Sequence, residues 1–87
     1  MTAEKLRSHV TYLSELVPDS EGRDVFVGLT YWETIWLIDY RERRARREPG
    51  WSRDQAAARE LAARHDTAHF EIVTAQAELR FDNPTIH

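Results

Sequence analysis

Two histidines one helical turn apart, His65 and His69, have the spacing that most directly suggests chemistry in this chain. At i and i+4 on a helix, two imidazoles lie on one face and can share a metal ion. A catalytic zinc also needs a third protein ligand and an open position for water. No third ligand follows at a customary spacing, and a short helical chain offers little cleft.

The segment His65-Asp66-Thr67-Ala68-His69 resembles the zinc-protease pattern, with Asp66 where that pattern carries glutamate. Because the third ligand is missing, the simpler expectation is a polar seam residue, His65, beside a half-exposed His69. A single polar residue on an apolar seam can fix register. The metal alternative needs two copies of the chain, each giving one histidine. No metal is assigned within one chain.

The second chemical feature is a basic run, Arg41-Glu42-Arg43-Arg44-Ala45-Arg46-Arg47, followed by Arg53. Arginines beside aromatic residues can neutralise phosphates and stack on bases. Arg41, Arg43, Arg44, Arg46, Arg47 and Arg53 are therefore the candidate nucleic-acid contacts. A helix spreads them around its circumference, however, and Glu42 and Glu48 interrupt them. The plainer expectation is a solvated helix end held by intrahelical ion pairs. A net charge of −3 also argues against a general polyanion binder.

No other constellation suggests catalysis. The chain has no cysteine, no Ser/His/Asp set at a recognisable spacing and no glycine-rich phosphate loop. The expectation is a protein that is not an enzyme and takes no cofactor. No apolar stretch approaches the roughly 20 residues of a membrane span. No apolar run follows the first charges as in a secretory signal. With the missing cysteines, these features suggest a cytoplasmic protein that does not engage membranes.

The elements that position these residues read as one all-α domain over 1–87. The spacing of Leu6, Val10, Leu13 and Val17 predicts a helix over 3–17. A connector follows over 18–29. Val25, Val27 and Leu29 alternate weakly, but the region looks unpaired, so an extended segment or a single helical turn is expected there. Thr30 and Glu33 form a capping-box pattern that starts a helix over 31–48, and Pro49-Gly50 stops it. Ser52 and Gln55 suggest a second box, starting a helix over 53–81, with a short tail at 82–87. The short link predicts that the second and third helices form a long antiparallel hairpin within a three-helix domain, with dimeric bundling as an extension.

The third helix carries a three-four seam at Ala58, Leu61, His65, Ala68, Ile72, Ala75 and Leu79. The second helix is shorter and cannot cover it all. Trp32 is expected beside residue 68 or 69, leaving Phe70 to Phe81 overhanging. Apolar residues exposed this way mark an interface. Trp32, Trp36 and Tyr40 form an aromatic stripe at i, i+4 spacing, a residue class that dominates binding hot spots. The ordinary alternative is that these rings fill the core. The functional expectation is an interaction module: an adaptor, inhibitor or assembly factor, homodimeric, that binds a larger protein partner. Its candidate contacts are Trp32, Trp36, Tyr40, Phe70 and Phe81. A nucleic-acid-binding regulator using the arginine run is the second reading.

Overall fold

The computed structural model describes the backbone of residues 3–82 and, apart from Trp51, the side chains of residues 4–79. The described chain is mostly helical, with three helices, two of them long, and one small two-stranded sheet. In order these are α1 (Ala3–Arg7), β1 (Leu16–Pro18), β2 (Asp24–Phe26), α2 (Tyr31–Ala45) and α3 (Gln55–Asp82), with 3₁₀ turns at Leu13–Glu15 and Trp51–Asp54.

The expected first helix ends early. α1 covers only Ala3–Arg7, and the Ser8 hydroxyl donates to the Lys5 carbonyl just beyond its end. Val10, Thr11 and Tyr12 follow, residues of modest helix propensity. The Glu15 carboxylate then accepts from the Thr11 and Tyr12 N–H groups, at 2.8 and 2.9 Å, and fixes a 3₁₀ turn in place of a continuing helix. The apolar stripe is broken accordingly: Leu6 is buried and Leu13 is exposed.

The segment over 18–29 is corrected too. Its short strand does have a partner: β2 pairs antiparallel with β1, Leu16 opposite Phe26 and Val17 opposite Val25. The residues between are a turn built by Asp19. One carboxylate oxygen accepts from the Glu21 and Arg23 N–H groups, and the other meets the Arg23 guanidinium at 3.0 Å. That turn chemistry lies wholly in the sequence. The sheet delivers Phe26, fully buried, into a cluster with Leu6, Leu29, Leu37, Ile38, Tyr40 and Ala58.

α2 begins as expected. The Thr30 hydroxyl accepts from the Glu33 N–H at 3.1 Å, and Glu33 accepts from the Thr30 N–H at 2.9 Å. Its end comes at Ala45, before the expected 48. The Glu48 N–H reaches the Arg43 carbonyl and the Arg47 N–H reaches the Arg44 carbonyl, the Schellman pattern. Arg47 takes the left-handed position with φ 55°, where glycine is the usual occupant. Arg47→Gly should therefore raise stability by about 1 kcal/mol. A higher urea midpoint with an unchanged slope would show this, and a lower midpoint would refute it.

α3 begins at Gln55, not at a box on Ser52. The chain instead makes a 3₁₀ turn from Trp51 to Asp54, entered from Gly50 with no side-chain cap. Asp54 is engaged by Arg43 across from α2 at 3.1 Å. Further along, Glu33 pairs with Arg64 at 2.7 Å. Trp32 therefore lies beside Ala57, Glu60, Leu61 and Arg64, not beside 68 or 69.

The distal part of α3 extends past the other elements, giving the molecule extents of 56 × 25 × 21 Å. Ala58 and His65 are buried, whereas Phe70, Val73 and Leu79 are exposed. No described helix is long and apolar enough to cross a membrane.

Candidate functional site

The two histidines face the 3₁₀ turn Leu13–Glu15. His65 is 3% exposed. Its Nδ1 lies 2.8 Å from the Val27 carbonyl oxygen and its Nε2 lies 3.1 Å from Glu15 Oε1. The Phe26 ring packs at 5.0 Å between centroids, and the His69 ring is stacked at 6.2 Å. With both ring nitrogens directed at protein oxygens, His65 has no lone pair facing an open site. His69 sits further out. Its Nε2 is 2.8 Å from the Ser14 hydroxyl, and Tyr12 stacks on its ring.

Among the described residues, no three histidine or acidic groups converge as a metal site. The Ser14–His69 pair has the components of a base-activated hydroxyl. No carboxylate among the described residues contacts His69 to orient it, as a triad would require.

Glu15 is the organising charge. Burial by itself would raise its pKa, but hydrogen bonds from the Tyr12 N–H, His65 and the Thr11 N–H outweigh it, and the carboxyl is held below its ordinary value. A carboxyl lowered in the folded state contributes stability above its unfolded pKa. That contribution is lost as pH falls through the folded pKa. Sequence reading did not find Glu15, because its partner lies 50 positions away. The i+4 histidine spacing did single out the other half of the pair.

The aromatic stripe divides. Trp32 is 71% exposed, with the Tyr31 ring against its edge. Trp36 is half-buried and stacks on Tyr40 at 5.8 Å, and Tyr40 is buried in the core. Tyr40 therefore supports Trp36 from beneath and offers no surface of its own. Trp32 and Trp36 border a shallow groove lined also by Ala57, Leu61, Glu33, Glu60 and Arg64. Phe70 is 69% exposed and lies well outside that groove on α3. The side chain of Phe81 lies outside the described residues. A second groove, lined by Tyr12, Ser14, His69, Val73, Gln76 and Ala77, runs along the other flank of α3.

The arginine run is largely engaged. Arg43 bridges Asp39 at 2.9 Å and Asp54 at 3.1 Å. Arg46 pairs with Glu48 at 2.6 Å and lies 3.8 Å from Glu42. These acids hold both guanidinium groups above their ordinary pKa, the leading cause being the hydrogen bond that Arg43 donates to Asp54 and that Arg46 donates to Glu48. Arg41 lies over the Phe26 ring at 5.4 Å. Arg44, Arg47 and Arg53 are exposed. Of the six candidate contacts, Arg43 and Arg46 are thus engaged by acids of this chain.

Comparison with protein-family models, with curated proteins and with solved structures finds no match to this chain.

Proposed function

We propose that this chain is a non-enzymatic protein-interaction module, an adaptor, inhibitor or assembly factor of the cytoplasm. The observation that carries this reading is Trp32. A tryptophan left this exposed beside a second one, in a groove shared with Ala57 and Leu61, suits a binding hot spot better than a solvated surface. The groove carries both signs of charge, Glu33 and Glu60 with Arg64, which suits recognition of a protein surface.

We further propose that α2 and α3 act as an antiparallel hairpin. The ion pairs Arg43–Asp54 and Glu33–Arg64, which run in opposite sequence order, support it. The exposed Phe70, Val73 and Leu79 support a homodimer through the distal part of α3, alongside a larger partner at the tryptophan groove. The nucleic-acid reading is less well supported, because acids from this chain already occupy Arg43 and Arg46.

Sedimentation equilibrium over micromolar concentrations tests the dimer. Reversible association is expected, weakened at least about tenfold by Leu79→Ser, with helix content unchanged. Leu79→Ser and Phe70→Ser chains, altered on opposite sides of α3, that both associate as tightly as the natural chain would exclude the distal part of α3. A monomer at every concentration would remove the dimer altogether. Adding a short duplex at low and moderate salt tests the second reading. Steeply salt-dependent co-sedimentation would restore the arginine run as the site.

A further inference from the structure

His65 stands where three pieces of the fold meet. Glu15 is the residue just before β1, and Val27 is the residue just after β2. Together they form the open end of the strand pair, where the Val27 N–H donates to the Glu15 carbonyl at 2.8 Å. The imidazole, carried on α3, reaches both: the Val27 carbonyl with one nitrogen and the Glu15 carboxylate with the other. It thus ties both strands to α3 through a single buried ring.

A carbonyl oxygen and an ionised carboxylate only accept. Both bonds are therefore made only when both ring nitrogens carry a proton. The neutral ring has one N–H and one lone pair, so one of the two part-buried oxygens loses its donor.

We propose that His65 is a protonation-dependent latch that holds the strand pair and the preceding 3₁₀ turn on α3 and loosens them when the ring loses its proton. This goes beyond the interaction reading and does not depend on it. Loosening would uncover the Phe26 ring and the α3 face around Ala68 and His69, changing the apolar surface on display.

The groups around the ring are few. From the 3₁₀ turn comes Glu15, whose carboxylate lies against the ring, and from just before it Tyr12, whose ring stacks on His69. From α3 come His69, stacked beside it, and Arg64, drawn away to Glu33 and the Gly28 carbonyl. From α2 comes Arg41, which lies over the Phe26 ring. From the strands only the uncharged Phe26 and the Val27 carbonyl face it. Glu15 is the one described anion in contact with the ring, so the latch is a two-group device.

The experiment is an NMR pH titration of the full chain. It follows the His65 ring signals together with amide hydrogen exchange at Val27, with the α2 amides of Leu37 and Ile38 as internal reference. As the ring titrates, Val27 protection is expected to fall about tenfold relative to α2, the size of one lost charge-assisted hydrogen bond. Glu15→Gln separates the latch from general alkaline loosening. Its amide can donate to the neutral ring as well as accept from the charged one, so the pH dependence should shrink to less than about twofold. Ring titration with unchanged relative protection would overturn the proposal. So would a Glu15→Gln chain that keeps the full pH dependence.

Discussion

Replacing Gly28 by alanine should destabilise the protein by about 3 kcal/mol, a large part of the stability of a domain this size. Two independent costs add. Gly28 has φ +88°, and a residue with a Cβ pays about 1–2 kcal/mol in left-handed backbone. The added methyl would also lie 2.8 Å from the Ala68 Cβ and 3.0 Å from the Arg64 carbonyl oxygen. One of these contacts is helix backbone, which cannot rotate aside, and overpacking of that kind costs about 1–3 kcal/mol. Urea unfolding would measure the total. Gly28→Ala combined with Ala68→Gly separates the parts: removing the facing methyl should make the double variant less unstable than the sum of the singles by about 1 kcal/mol. Strict additivity would show that the connector does not press on α3 at this point.

The second large effect is expected at Thr34, which is fully buried in the first turn of α2. Its hydroxyl accepts from the Phe26 N–H at 3.1 Å and donates to the Thr30 carbonyl at 2.9 Å. It is the acceptor for a backbone group at the end of β2, where the strand dives into the core. Thr34→Val keeps the shape and removes the acceptor. The Thr30 carbonyl still receives the Thr34 N–H, so only the Phe26 N–H is orphaned. Leaving a buried donor without a partner costs about 2 kcal/mol. Thr34→Ser keeps the hydroxyl and loses one methyl group, at about 1 kcal/mol. Thermal unfolding should therefore rank serine between the natural residue and valine. Valine as stable as threonine would mean that the Phe26 N–H finds another acceptor and that the hydroxyl does not join β2 to α2.

Both sites show why the first third of the chain was harder to read than the rest. Leu6, Val10, Leu13 and Val17 have helical spacing, and that pattern predicts one long helix. Glu15 instead captures two N–H groups that a helix would have used, and Leu16-Val17 pairs with Val25-Phe26. The Asp19 turn between them was legible as a loop. Its strands were not, because three residues each are too few to show periodicity.

The candidate site follows the same division. The sequence by itself determined where α2 starts, because the Thr30–Glu33 box closes within four residues. It also determined that a break near Pro49-Gly50 separates α2 from α3, and that α3 is long. Each of these rests on hydrogen bonds or periodicity within one segment. Only the tertiary structure decided that Trp32 is exposed while Tyr40, two turns on along the same stripe, is buried. It alone decided that Arg43 also reaches Asp54 beyond its own helix, and that the seam histidine is a cross-link between α3 and both strands. His65 and its partners are separated by 38 and 50 positions. A contact over that distance leaves no local pattern, because it exists only once the chain has brought a carboxylate, a carbonyl and an imidazole together.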